Sequence, residues 1–368
     1  MVTNQTRKLI KLITFNAIFL SIGILGIELY FGNWLQANPA KRLPDLARQT
    51  GKRYTFRTHG LTGEDVVVDF YRDHLGLRGR DQVNSGQQIL VLGGSTAIEF
   101  TVPEKLTWAE QLEMRLNMKL PPNHQVDVVN AGINGQTLLG NQIAIDLWLK
   151  DIKEIRPKIV IIYYGFNDAI YSTRARNAHA RDPDLKSKSI KEKLLINSAF
   201  AMLARELKGN YQSWATDNGH NFRYIPDHLP TKKELISSDT ELEDKAIRKS
   251  IYHTKLMNLI QSLKLTWPTS KFIFVAQSSP NCFFESFRHF RSLKDPKICS
   301  DMLSIHRYTQ STIQKFQADG DEQLQFEPLF LKNPYDRFGA SDDIHANSKG
   351  SRNIAKELAP MLLKYINP

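Results

Sequence analysis

The chain has 368 residues, 41% apolar content and a formal net charge of +11, enough apolar material for a substantial core in one large domain or two small ones. That basicity could suit nucleic acid, an anionic membrane or an acidic polymer, but the sequence has no zinc-finger spacing, aromatic RNA-binding block or recognition helix, so no nucleic-acid partner is expected. Two cysteines without a Cys-x-x-Cys pair exclude a disulfide scaffold and argue against zinc or dithiol redox chemistry.

The first predicted element is a membrane anchor within residues 1–35. Arg7, Lys8 and Lys11 precede an uncharged run from Leu12 to Ile27. Extended from Leu9 to Trp34, with Lys11 and Glu28 able to snorkel, the segment can cross ~30 Å of hydrocarbon. Tyr30, Phe31 and Trp34 then fall where an interfacial aromatic belt belongs. The positive flank places the N-terminus inside, so the expected location is the inner (cytoplasmic) membrane, single-pass, with the rest of the chain periplasmic and the lipid bilayer as partner of this helix. A cleaved signal peptide would need an Ala-x-Ala site, for which Leu35-Gln36-Ala37 is a poor substitute. A lipoprotein is excluded because the two cysteines are Cys282 and Cys299. The basic cluster Lys41, Arg42, Arg48, Lys52, Arg53 and Arg57 argues slightly against this orientation, although most of it lies far from the span.

Residues 36–85 are basic and poorly periodic and read as a stalk and lead-in; residues 86–368 read as one domain. Strands are predicted at Gln88–Leu92, Val126–Asn130, Ile159–Tyr164 and Phe272–Ala276, the last two near-continuous apolar runs of the kind found in parallel strands covered on both faces. Helical patterns lie between and after them. Thr107 reads as an N-cap for Trp108–Leu116, with Glu110 completing a capping box. Apolar periodicity predicts further helices over Leu138–Ile155, Glu241–Leu265 and Ser348–Ile366. This alternation predicts an α/β fold: a doubly wound, flavodoxin-like parallel sheet of about five strands with helices on both faces, whose ligands bind at the carboxyl ends of the strands. Insertions interrupt the spacing at about 172–240, with seven Lys or Arg between Arg174 and Lys193 against three acids, and at about 278–320, which holds both cysteines. Long loops on such scaffolds commonly shape the substrate site.

Four short blocks fall at strand ends or in loops returning to them. Gly93-Gly94-Ser95-Thr96 can turn sharply after a strand and expose the Ser95 hydroxyl. It lacks the spacings of a P-loop, a dinucleotide fingerprint and a G-x-S-x-G elbow; alone it reads equally well as a tight capped loop. Asn134-Gly135 and Asn167-Asp168 read alone as an ordinary turn and a loop cap. Asp342-Asp343-Ile344-His345 puts an acid three residues before a histidine, the spacing at which a carboxylate can orient an imidazole. Their joint order and strand-end placement outweigh the bland readings of each.

These blocks resemble the SGNH/GDSL hydrolase superfamily over about residues 86–366, with the two insertions unmatched. The resemblance assigns the serine to Ser95, the glycine to Gly135 within Asn130–Thr137, the asparagine to Asn167 in Gly165-Phe166-Asn167-Asp168, and the histidine to His345 with Asp342 as its acid. It implies a serine hydrolase in which Ser95, His345 and Asp342 form the catalytic triad, and the Ser95 amide, the Gly135 amide and the Asn167 side chain form the oxyanion hole. The family's common Gly-Asp-Ser is Gly-Gly-Ser here, which bears on local loop geometry and not on the triad. Asp168 reads as structural.

The resemblance and the anchor together point to a membrane-anchored serine esterase that removes an O-acyl group, O-acetyl by first choice, from a cell-envelope or exported polysaccharide. An acylated carbohydrate or other small ester is therefore the expected substrate. The alternatives are an O-acetyltransferase using the same triad, a lipase or thioesterase, and a non-catalytic envelope-assembly factor. The remaining histidines lack ligand spacing and read mostly as surface or loop groups; no metal and no cofactor are expected. Cys282 and Cys299 enclose sixteen residues and can form a disulfide if the domain is exported, two separate buried thiols being the other reading.

Overall fold

A computed structural model of the chain describes residues 4–32, 34, 38–59, 65–79, 87–173, 197–201, 203–204, 207, 236–237, 246–292, 296–332 and 344–366. The β-branched and aliphatic runs form strands, and those with two apolar faces form the centre of the molecule. The elements before the main sheet are α1 (Asn4–Phe31), α2 (Pro44–Gln49) and the antiparallel pair β1 (Arg53–His59) and β2 (Asp65–Tyr71). The first half of the α/β unit is β3 (Gln87–Gly93), α3 (Ser95–Ile98), α4 (Trp108–Asn117), β4 (Val126–Asn130), α5 (Leu138–Leu147), β5 (Pro157–Tyr164) and α6 (Phe166–Thr173). Then come β6 (Ile236–Ser237), α7 (Ala246–Thr266), β7 (Lys271–Ala276), β8 (Cys282–Phe284), β9 (Phe290–Ser292), α8 (Pro296–Ala318), β10 (Leu324–Glu327) and α9 (Ser348–Ile366).

Five strands pair in parallel in the order β10-β7-β5-β3-β4, the doubly wound flavodoxin-like arrangement. Side chains alternate across the sheet. Leu90, Leu92, Val160, Ile162, Phe272 and Phe274 join one core with α5, α7 and α8. Ile89, Val91, Ile159, Ile161, Ile273 and Val275 join a second with α4 and α9. Both faces are therefore dry, which is why the strands read as unbroken apolar runs. Thr107 caps α4 as its sequence predicts, its side chain accepting from the Glu110 amide.

Several elements differ from the sequence reading. The fifth strand, β10, and the 23-residue α8 were not singled out; α8 lies within the 278–320 insertion. The helix expected to run to Ile155 ends at Leu147, where Trp148 leaves helical geometry and its indole donates to the Leu75 carbonyl at 2.7 Å. The 36–85 segment, expected as stalk and lead-in, places Ala40, Leu43, Leu46 and Leu77 in the first core. Its elements are too short to leave a periodic trace. Arg78 pairs with Asn130 across an antiparallel bridge and covers the β4 edge. The insertion at 172–240 lies largely outside the described residues, so its basic stretch is not described.

Residues Gln5–Phe31 of α1 are long and apolar enough to cross a membrane, and none of them is buried inside the molecule. At its end Glu28 accepts hydrogen bonds from Trp34 Nε1 at 2.8 Å, Ser198 Oγ at 2.7 Å and the Ala199 amide at 3.0 Å, which ties part of the first insertion to the top of the helix.

Cys282 on β8 and Cys299 on α8 form a disulfide, and both are buried in the first core. The bridge closes the loop carrying the β8–β9 hairpin. Replacing both cysteines by serine is expected to lower the unfolding free energy by about 3 kcal/mol in the chain-entropy estimate. Urea denaturation of the full chain in detergent measures this; an unchanged midpoint would show that the loop needs no crosslink.

Candidate active site

The site is built where the carboxyl ends of β3, β4, β5 and β7 meet. The β3 chain leaves the sheet through Gly93 and Gly94 because neighbouring groups leave no room for side chains. A Cβ at Gly93 would lie 2.6 Å from the Tyr163 carbonyl oxygen on β5 and 2.8 Å from the Ala97 Cβ. One at Gly94 would lie 2.3 Å from Asn167 Nδ2 and 3.1 Å from the Gln136 carbonyl oxygen. Ser95 is the first residue of α3, half-buried, with Gly94 as an N-cap that lends no side-chain bond. Within this one-turn helix the Ala97 and Ile98 amides donate to the Gly94 carbonyl and the Glu99 amide to the Ser95 carbonyl. The amides at the very start of a helix have no intrahelical acceptor.

The loop after β4 is braced from both sides. Asn130 Nδ2 donates to the Ala97 carbonyl at 2.9 Å, and its Oδ1 accepts from the Gly132 amide at 3.0 Å. The buried Arg72 guanidinium donates to the Gly132 carbonyl at 2.7 Å. Gly135 then takes a left-handed φ of 76° with open space where a Cβ would be, so its glycine answers a backbone requirement and not crowding.

The loop after β5 closes onto the other two. Asn167 Nδ2 donates to the Gln136 carbonyl at 3.0 Å. The buried Asp168 accepts from the Leu138 amide at 2.9 Å, in the first turn of α5, the structural role its position suggests. Gln277, just past β7, accepts from Thr96 Oγ1 at 3.1 Å, and its amide donates to the Tyr164 carbonyl at 3.0 Å. Ser95, Asn167 and the residue beside Gly135 thus reach one edge of the sheet, linked through Gly94 and Gln136. One hydrogen of the Asn167 amide is used to orient it and the other is free to face a ligand.

His345 is half-buried in the stretch leading into α9. Its neighbour Ile344 packs against the core on one side of the sheet and Ala346 against the core on the other, the latter shared with Ala97 of α3. The chain therefore passes from one core to the other at His345. Asp342, the expected acid, lies outside the described residues, as does Asp343 beside it.

Some groups near the site carried no signal in the sequence reading. His306, grouped there with surface or loop histidines, is fully buried on α8, stacked on Phe330 with ring centroids 4.8 Å apart. Burial pulls its pKa down to about 3, so it stays neutral through the ordinary pH range. A Cβ at Gly165, whose φ is 137°, would meet its ring at 2.5 Å. Glu99, four residues past Ser95, is also buried, and desolvation pushes its carboxyl up to about 8. A hydroxyl at a helix start, with a carboxamide nitrogen held against the preceding residue, is an arrangement that suits attack on a carbonyl. Among the described residues no group of three or more His, Cys, Asp or Glu could hold a metal ion.

The family model described as GDSL-like Lipase/Acylhydrolase matches residues 59–358. Solved structures similar to the chain include a lipolytic protein of the G-D-S-L family from Veillonella parvula, with 11% identity, 76% of this chain and 100% of that one covered, and a TM-score of 0.41. Another is a psychrotrophic esterase from Pseudoalteromonas, with 15% identity, 77% and 100% covered, and a TM-score of 0.40. A third is an acetylxylan esterase from Geobacillus stearothermophilus, with 14% identity, 77% and 96% covered, and a TM-score of 0.39. No curated protein matches the chain.

The contact at Gly94 is directly testable. Gly94→Ala is expected to push the Asn167 amide off the Gln136 carbonyl and to cost about 1–3 kcal/mol of stability through overpacking. Chemical denaturation reads the loss; a variant as stable as the wild type would mean that the carboxamide does not rest there.

Proposed function

The chain belongs to the GDSL-like lipase/acylhydrolase family, whose members are serine hydrolases of acyl esters, and from that premise we propose that Ser95 is the nucleophile of an esterase site. The observation that carries this reading is the Asn167 carboxamide nitrogen held against Gly94, one residue from Ser95, by the Gln136 carbonyl. In the proposed mechanism Ser95 Oγ attacks the ester carbonyl carbon while His345 takes the hydroxyl proton. The carbonyl π electrons move to oxygen, and the Ser95 amide, the Gly135 amide and Asn167 Nδ2 hold the oxyanion. His345 then gives its proton to the departing alcohol as the carbon–oxygen bond breaks, leaving an acyl-serine. Water, deprotonated by His345, attacks that acyl group; the acyl–Oγ bond breaks as His345 returns the proton to Ser95 Oγ, and the acid leaves. Asp342 orients the imidazole and stabilises its charged form.

The substrate we propose is an O-acyl ester, O-acetyl by first choice, on a polysaccharide of the cell envelope or in export. Three features support this setting. The α1 segment is long and apolar enough to anchor the chain, and Arg7, Lys8 and Lys11 in its first turns come before its uncharged run, as on the cytoplasmic side of a span. The Cys282–Cys299 disulfide suits an oxidising compartment such as the periplasm. The run of Lys and Arg between Arg174 and Lys193 complements an acidic glycan. In this reading residues 1–35 form the cytoplasmic tail and anchor.

The test is turnover of p-nitrophenyl acetate by the full chain in detergent. Ser95→Ala and His345→Ala are each expected to lower kcat by about 10³-fold or more, and Asn167→Ala by about 10²–10³-fold. Turnover that survives the first two substitutions overturns the assignment. Mass spectrometry of the acyl-enzyme, incubated with water alone or with a polysaccharide acceptor, separates hydrolysis from transfer to a sugar hydroxyl.

A further inference from the structure

Glu99 is the one non-glycine among the described residues with a positive φ, 50°, a conformation that costs an L-residue about 1–2 kcal/mol. Its side chain joins the helix that begins with Ser95 to two others. The Glu99 amide donates to the Ser95 carbonyl at 2.9 Å. Its Oε2 accepts from the Trp108 amide at 2.6 Å, at the start of α4. Its Oε1 meets Ser351 Oγ in the first turn of α9, 252 residues away. Ser351 Oγ also lies 2.8 Å from the Asn347 carbonyl oxygen. Asn347 is two residues past His345, and its side chain caps α9 by accepting from the Lys349 and Gly350 amides at 2.9 and 3.1 Å. A buried path therefore runs from Ser95 through Glu99 and Ser351 to the turn that carries His345.

Ser351 has one hydroxyl hydrogen and two oxygens beside it. The Asn347 carbonyl can only accept. With the hydroxyl hydrogen there, the second contact is satisfied when Glu99 Oε1 carries its own proton and donates to Ser351 Oγ. The Trp108 amide then meets Oε2, the carbonyl oxygen of a neutral acid.

Burial outweighs the neighbouring groups that favour a charged carboxyl. Arg78 is the cation beside it, but that guanidinium donates to the backbone carbonyls of Ile98, Glu99 and Val102. Its Nε is engaged by Glu104 at 2.9 Å. The Ser351 and Trp108 hydrogen bonds favour the ionised form, the Glu104 carboxylate opposes it, and burial is the largest cause and keeps the carboxyl protonated.

We propose that Glu99, held as a neutral carboxylic acid, is a positioning residue that sets the Ser95 helix against the His345 turn. This rests on the reading of Ser95 and His345 as the reacting pair, and deepens it.

The linkage has a definite sign. Burial raises the carboxyl from its ordinary 4.5 to about 8, so the folded chain holds a proton that the unfolded chain releases. The stability this group contributes is full below about 4.5 and is lost as pH rises towards about 8.

The experiment compares Glu99→Gln, Glu99→Ala and Ser351→Ala in the full chain in detergent, with Ser95→Ala as reference. It measures kcat and KM for p-nitrophenyl acetate from pH 6 to 10, and urea unfolding over the same range. A glutamine can donate to Ser351 and accept from Trp108, so Glu99→Gln should keep kcat within about threefold at pH 7. It should also lose the decline in kcat and stability that the wild type shows through about pH 8. Glu99→Ala should lower kcat about 10²-fold with KM little changed, the effect of a misplaced reacting pair. Should Glu99→Ala fail to fold, Ser351→Ala, which cuts the same path by one oxygen atom, is expected to lower kcat about tenfold. A Glu99→Gln variant as impaired at pH 7 as Glu99→Ala, or one that keeps the wild-type alkaline decline in kcat and stability, overturns the proposal. Activity that persists in Ser95→Ala overturns the site reading and the positioning role with it, while the unfolding series still decides whether Glu99 is a neutral acid.

Discussion

A Cβ at position 94 would lie 2.3 Å from the Asn167 amide nitrogen, and the spacing of the whole sheet edge follows from that missing atom. Three loops, after β3, β4 and β5, approach one another through Gly94, the Gln136 carbonyl and the Asn167 carboxamide. None of the three could come as near if a side chain stood between them. Gly93 works in the same way one residue earlier, letting the chain pass over Tyr163 as it leaves β3. A serine following such a pair is presented at a helix start, beside the groups that a carbonyl reaction requires.

Close approach alone would leave the loops free to shift, so buried polar groups hold them. Asn130, Gln277, Asp168 and Arg72 each bond a loop to a neighbouring strand end or helix start. In a medium of low dielectric, bonds of this kind are strong. Arg72 belongs to the stretch ahead of the main sheet, which is why that stretch is part of the scaffold beneath the site and also helps to fill its core. Beneath the β5 loop, Gly165 lets the His306 ring lie against the backbone. That imidazole is neutral and surrounded by aromatic rings, so it supports the loop as an apolar plate would.

The sheet also explains how residues about 250 positions apart come to one edge. Parallel strands all end on the same side, so the chain returns to that edge after every crossover. The last return is the stretch before α9, where the chain crosses from Ile344 in one core to Ala346 in the other. Glu99 and Ser351 meet just below this crossing, coupling the first of these returns to the last.

The sequence by itself determined the α/β class, four of the five strands of the parallel sheet and the capped helix after Thr107, because dry strands and capped helices leave local, periodic traces. It also marked Ser95, Gly135, Asn167 and His345, since glycine turns and short polar blocks at strand ends are visible in one dimension. It did not reveal β10, whose four residues are only partly buried, or α8, hidden within a stretch read as an insertion. Nor did it reveal that the lead-in joins the core or that His306 is buried. Only the tertiary structure decided that Gly94 faces Asn167, that Asn130 and Gln277 lace the strand ends, and that Glu99 meets Ser351. Those contacts join residues tens to hundreds of positions apart, and a polar side chain's burial and partners depend on what the rest of the chain brings to it, which no local pattern encodes.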